Sequence, residues 1–128
     1  MKNKKLDPKK LKNKLFKLWC KIIHSRGACE LCGNSNGKLD AHHIEGRTGS
    51  LLYNLDNGIL LCFRCHRLGV HSEASSVQAA TRQRIIDQRG QEAMENLKLQ
   101  RHIPAKHSTD DLISLLVKYT DAARMLGM

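Results

Sequence analysis

The sequence predicts an α+β fold in which a β-hairpin and a short helix are built over a metal site, with longer helices before and after. Three observations carry this expectation. Cys29-Glu-Leu-Cys32 and Cys62-Phe-Arg-Cys65 are Cys-x-x-Cys knuckles separated by about thirty residues, a pattern that can deliver four thiolates to one tetrahedral zinc. Between them lie two short stretches of strand character joined by a loop. Outside them, apolar residues recur at helical spacing.

Each element follows in order. Pro8 suits a first helical turn. Leu11, Leu15, Leu18, Trp19, Ile22 and Ile23 then recur at helical spacing with Lys12, Lys14, Lys17 and Lys21 among them. This predicts a helix over residues 8–25, apolar side inward, lysines toward solvent or phosphate. Arg26-Gly27 ends it, and Cys32-Gly-Asn-Ser-Asn-Gly37 is a turn-rich knuckle whose glycines accept tight backbone angles. Residues 39–44 read as a strand, 46–54 as loop, and 58–61 as the returning strand; Cys62 begins a helical turn reaching Val70 or His71. Residues 76–87 and 91–100 read as helices interrupted at Gly90, with Ala93, Met94 and Leu97 on one side of the second. Pro104 closes that stretch. Ser108 and Asp111 form a capping box for a last helix with Leu112, Leu115, Leu116, Tyr119, Ala123 and Leu126 as its apolar positions. The organisation expected is a basic arm and helix over 1–27, a metal-bearing core over 28–75 and a helical scaffold over 76–128.

Composition limits the functions open to this chain. Its 128 residues have room for one modest core, and two Phe, two Tyr and one Trp are few to fill it. A metal crosslink offsets part of that shortfall, because thiolate ligation contributes folding free energy directly. The formal net charge is +10, and nine of the first 21 residues are lysine, so a polyanionic partner is expected, with attraction that weakens as salt rises. For Lys2 to Lys5 a solvated tail is the competing reading. Cys20, outside both knuckles, reads as a small buried apolar residue. No secretory segment and no apolar run long enough to span a bilayer are evident, so a cytoplasmic protein without a membrane partner is expected, and disulfides are not.

The residues between and beside the knuckles carry the chemistry. Cleaving a phosphodiester requires a base for water, a positive charge beside the phosphoryl oxygens and help for the leaving oxygen. Neighbouring strand residues point to opposite sides, so His42 and His43 are expected to divide two jobs, one ligating a cation and one acting on water. His66 follows Cys65 directly, so the knuckle would fix its backbone and aim its ring at a second cation, with His71 able to complete the ligand set or bind a phosphate. The Asn57 amide carbonyl could accept a proton from the ring of the base histidine. Asp40 reads as a supporting carboxylate, and Glu45 as one that orients a metal-bound histidine or as a solvated acid. Arg47, Arg64 and Arg67 are expected at substrate phosphates, with Lys21 adding nonspecific attraction.

Asp40-Ala-His-His-Ile44, Asn57-Gly-Ile-Leu-Leu-Cys62 and Cys65-His66 resemble the HNH endonucleases of the ββα-metal class, in the subgroup with a four-cysteine zinc site. The resemblance is tight from Cys29 to His71. More loosely, Leu18-Trp19, Arg26-Gly27 and Gln88-Arg-Gly90 extend it to small phage-borne HNH proteins, some of the NinG recombination type. It implies a metal-dependent enzyme that hydrolyses DNA in a bacterial or phage-infected cell. By position His43 matches the general base, His42 and His66 the metal-binding positions, Asn57 the central residue that orients the base, and His71 a possible third ligand. A structural Zn²⁺ and one catalytic divalent cation (Mg²⁺, Mn²⁺, Ni²⁺ or Zn²⁺) are implied, without a small-molecule cofactor.

Two other readings compete. A zinc-stabilised nucleic-acid-binding module without cleavage would use the same knuckles and basic charge. A nucleobase deaminase would use His43-Ile-Glu45 with Cys62 and Cys65 about one catalytic zinc, but it gives Cys29, Cys32, Asn57 and His66 no role. Substrate shape, sequence preference and oligomeric state have no signature in the sequence.

Overall fold

The computed structural model describes residues 7–104 and 107–128. The expected basic character of Lys2 to Lys5 therefore lies outside the described residues. The first helix, α1, spans Pro8–His24; the Asp7 side chain accepts the Lys9 N–H and Pro8 occupies the first turn, where a missing N–H costs nothing. Its buried face is Leu11, Leu15, Trp19, Ile22 and Ile23. The chain leaves it through Gly27, whose φ of 84° a side-chain-bearing residue rarely adopts.

Strands β1 (Leu39–His43) and β2 (Gly58–Cys62) form an antiparallel pair with Leu39 opposite Cys62 and His43 opposite Gly58. β2 is buried along its whole length because each face of the hairpin carries its own core. On one face, Leu60 joins Leu15, Trp19 and Ile23 of α1 and Leu112, Tyr119 and Ala123 of the last helix. On the other, Ile59 and Leu61 join Ile44, Ile85, Met94, Leu97 and three of the knuckle cysteines. The architecture is thus helix layer, two-stranded sheet, helix layer, an α+β arrangement of the kind the sequence predicts.

Gly58 marks the closest approach between layers. A Cβ there would lie 2.4 Å from Ile23 Cδ1 and 2.8 Å from the Trp19 ring, so only glycine lets α1 lie this near β2.

The segment between the strands, expected as plain loop, contains two 3₁₀ turns, Gly49–Leu51 and Leu55–Asn57. After β2 the chain makes one α turn, α2 (Phe63–Cys65), then widens into a π turn over His66–Val70. The His71 N–H bonds to the His66 carbonyl five residues back (2.9 Å), which defines the turn, and Gly69 lies close to Thr81, where a Cβ would sit 3.0 Å from its side chain. Helices α3 (Ser75–Arg89) and α4 (Gln91–Arg101) follow, broken at Gly90 with φ of 92°, and α5 (Thr109–Met125) begins at the expected Ser108–Asp111 capping box. Among the described residues no helix is long and apolar enough to cross a membrane.

Candidate metal centre and active site

The four knuckle cysteines come together. Their sulfurs all lie within 4.8 Å of one another, the Cys32 and Cys62 Sγ atoms are 3.6 Å apart, and no disulfide joins any of them. A zinc with Zn–S bonds of about 2.3 Å needs sulfurs about 3.8 Å apart, so four free thiols at this separation fit a tetrahedral thiophilic ion. Burial opposes ionisation at Cys29, yet backbone N–H groups of Cys62, Cys32 and Leu31 outweigh it and bring the thiol down to about 7. Burial and the neighbouring sulfurs push Cys65 the other way. Four thiolates this close repel, and a bound cation removes that conflict.

The first knuckle is anchored from several directions. Cys29 N–H bonds to Asn34 O, and Gly33 N–H returns to Cys29 O. The Glu30 carboxylate accepts the Leu60 N–H and pairs with Arg26 (2.9 Å) and Arg89 (3.2 Å), while Arg84 donates to Leu31 O. These ties reach from α1, β2 and α3, so the helices after the core hold the cysteine site in place. Arg84 and Arg89 had no spacing signal in the sequence, since each acts through contacts about thirty to sixty residues away; Glu30 has one near partner, Arg26, and two distant ones.

A second cluster lies on the strand. His42, His66 and His71 bring one nitrogen each to within 4.8 Å of the others. The strand pleat sends Asp40 and His42 toward the short helix and His43 toward α1. His66 Nδ1 and Asp40 Oδ2 are 3.0 Å apart, which fixes that ring and leaves Nε2 to face a ligand, so Asp40 supports a histidine as expected. The π turn explains His71: an i→i+5 step returns it to the side of His66, whereas an α-helical step of five would carry it away. The three rings crowd together, with His42 5.0 Å from His66 and 5.3 Å from His71 between centroids. Burial, then the neighbouring imidazoles, lower His42 to about 4, and burial with His66 and Arg67 also lowers His71. Neutral imidazoles are what a divalent cation requires.

His43 occupies a different setting. Its ring stacks on the Trp19 indole at 4.0 Å and 8° between planes, with Phe16 a further parallel ring 6.0 Å from both and Arg47 lying 5.3 Å over Phe16. His43 Nε2 lies 3.0 Å from the Leu52 carbonyl, which can only accept, so this nitrogen carries the proton. Nδ1 has no partner among the described residues and is not sealed from solvent, so it is the basic nitrogen. Burial lowers the pKa of this ring, the Leu52 carbonyl partly reverses that, and Arg47 lowers it further.

Asn57 departs from expectation. Its side chain makes no hydrogen bond to His43. Fully buried, it accepts the Glu45 N–H (2.8 Å) and donates to Gly46 O (2.9 Å) and Leu51 O (3.1 Å), clamping both ends of the segment whose Leu52 carbonyl meets the imidazole. A side-chain amide inside a chain reversal finds backbone partners nearer than a ring on the next strand. Glu45 is also corrected. Its side chain is 3% exposed and pairs with Arg82 and with Arg101 (3.4 Å), so it neither orients a metal-site histidine nor meets solvent.

His42, His43, His66, His71, Arg47 and Arg67 line one recess of about 370 Å³. Arg64 is exposed but is not part of that lining, and Lys21 lies with Lys14 and Lys17 in a separate groove between α1 and α5. Cys62 and Cys65 group with Cys29 and Cys32, not with His43, which removes the ligand set a deaminase would need. Sequence reasoning did not find Trp19, Phe16 or Leu52 as part of the His43 setting; Trp19 read as an ordinary apolar helix position, Phe16 was not singled out, and a backbone carbonyl has no residue signature.

The family model for HNH endonuclease matches residues 29–69. The chain carries an HNH domain. The match runs from the first cysteine through both strands to the π turn, and so includes the cysteine quartet, His42, His43, Asn57 and His66. His71, the Trp19 stack and helices α3 to α5 lie beyond it. No curated protein and no solved structure matches the chain. Residues 29–69 thus form a nuclease-family core with four cysteines positioned to bind a metal.

Proposed function

We propose that this chain is a metal-dependent endonuclease that hydrolyses DNA phosphodiester bonds, with zinc held by Cys29, Cys32, Cys62 and Cys65 as a structural ion. One observation supports this above the others: a neutral imidazole with its proton committed to Leu52 opens into the same recess as three converging histidines.

His43 takes a proton from water at Nδ1 while Nε2–H stays on the Leu52 carbonyl and the Trp19 face limits ring motion. The water oxygen bonds to phosphorus, the bond from phosphorus to the leaving oxygen breaks, and that oxygen takes up a proton from solvent. His42, His66 and His71 would hold a divalent cation, which would supply positive charge to stabilise the phosphoryl and leaving oxygens. Asp40 fixes His66 for that task, and Asn57 acts through Leu52 as a positioning residue. Arg47 and Arg67 receive substrate phosphates at the rim, where Arg47 also favours neutral His43. Arg64 and Lys21 contribute to longer-range attraction.

The test is cleavage of supercoiled plasmid with Mg²⁺, Mn²⁺ or Ni²⁺, comparing the parent with His43→Ala after metal analysis shows that both retain the cysteine-bound ion. Nicking by the parent alone supports the proposal. Equal DNA binding by both proteins, with no cutting of duplex, branched or single-stranded DNA, would instead make the chain a binding module.

A further inference from the structure

Beside the recess lined by His43 lies a second cavity of about 420 Å³, and His42 lines both. Its other walls come from Ile44 just after β1, Val70 at the end of the π turn, and α3, where Ile85 adds to the apolar lining and Ser75 and Gln78 give a polar one. The Ser75 hydroxyl and the Gln78 amide make no hydrogen bond among the described residues, so their donors and acceptors are open to a ligand. Arg82, also in the lining, is held by its ion pair with Glu45.

We infer that this cavity receives one unpaired nucleobase of the nucleotide whose phosphate lies in the recess beside it. The inference rests on the nuclease reading and deepens it by naming the substrate class: DNA with unpaired nucleotides, as in a single strand, flap or branch. The two cavities differ as the two halves of a nucleotide differ. The recess has Arg47 and Arg67 for a phosphate, and the cavity has an apolar lining with an amide and a hydroxyl for a flat heteroaromatic ring with polar edges. His42 lines both, so one nucleotide bridges them. A base within a duplex is stacked above and below and would have to be turned out of the helix to enter, at a cost of unstacking that a strand already unpaired avoids.

The test uses the full chain with its cysteine-bound ion and measures anisotropy of an eight-nucleotide thymidine strand against a strand with the same phosphates and no bases. The parent should bind the thymidine strand on the order of tenfold more tightly, the scale of a single base contact. Ala79→Phe, which adds bulk to the cavity lining from α3, should reduce that difference to about twofold or less if one base-sized site produces it. Equal binding of both strands by the parent overturns the inference, as does a folded Ala79→Phe that keeps the full difference; if the variant does not fold, the parent comparison alone decides. Cleavage read in parallel separates the two proposals. A parent that cuts DNA without distinguishing the strands removes the base site and leaves the nuclease, whereas discrimination without cutting under any cation keeps the base site and removes the nuclease.

Discussion

Replacing Asn57 by Asp exchanges one amide NH₂ for an oxygen at nearly constant volume, in a fully buried position. The Glu45 N–H keeps its acceptor, but the carbonyls of Gly46 and Leu51, now 2.9 and 3.1 Å from a donor, would face a carboxylate oxygen. The Leu51 carbonyl keeps the Asn54 N–H (3.2 Å), so the Gly46 carbonyl loses its donor at about 1–3 kcal/mol, and desolvation of the new carboxylate brings the total to about 2–6 kcal/mol when the side chain is ionised. Protonation returns one donor and recovers roughly half of this. The carboxyl therefore has a folded pKa above its unfolded value of about 3.9. The sign follows: such a group stabilises the fold most fully at low pH, and that contribution is lost as pH rises through the folded pKa, so the deficit against the parent grows with pH. Urea unfolding of parent and Asn57→Asp from pH 5.5 to 8, with the cysteine-bound ion retained, reads this directly. At neutral pH the expected fall in Tm is roughly 10–20 °C. A deficit below about 1 kcal/mol that does not vary with pH would refute the assigned hydrogen bonds.

Gly58→Ala should cost about 1–3 kcal/mol in thermal unfolding, because the added methyl meets Ile23 and the rigid Trp19 ring below 3 Å, and the His43 ring resonances should shift with the displaced indole. Asp40→Asn should weaken cation binding at the histidine cluster by about 10–100-fold in calorimetry while leaving the cysteine-bound ion in place, since it removes the carboxylate from His66 without touching a ligand. Burial holds His42, His43 and His71 below the usual histidine range, with His42 near 4, so without a cation in the cluster the folded state takes up protons later than the unfolded chain. Stability should accordingly be complete above about pH 6.5 and fall as pH drops toward 4, and His42→Gln should flatten that fall in a pH series of denaturant midpoints. Cleavage should retain activity below pH 6.5 for the same reason at His43, and an acidic limb at or above pH 6.5 would contradict its lowered pKa.

The parts of this fold legible in the sequence were those governed by local repetition. The α1 stripe from Leu11 to Ile23, the Ser108–Asp111 cap and the cysteine spacing each state a geometry within a few residues, and the observed elements follow them closely. The strand pleat likewise separated His42 from His43, and their rings do meet different neighbours. What escaped depends on contacts made at a distance or through the backbone. Asn57 was matched to a ring its amide does not hydrogen-bond because the carbonyls of Gly46 and Leu51 take that amide and have no side-chain signature. Glu45 looked like a loop acid because its partners, Arg82 and Arg101, belong to helices that read only as scaffold. The role of His71 could not be weighed without the π turn, which changes which face a residue five positions on will occupy.

The packing of α1 against α5 has a consequence for how the molecule comes into being. The four cysteines all lie between Cys29 and Cys65, with α3 bracing the first knuckle through Arg84 and Arg89. The cage around His43 is assembled from far more distant pieces: Trp19 on α1, the Leu52 carbonyl, and the loop that Tyr119 holds by donating its hydroxyl proton to Tyr53 O. Until α5 has left the ribosome, α1 lacks the layer that covers Leu15 and Trp19, and the imidazole lacks a rigid seat. All four cysteines thus precede α3 in the chain, whereas the seat of the His43 imidazole is completed by residues as far apart as Trp19 and Tyr119.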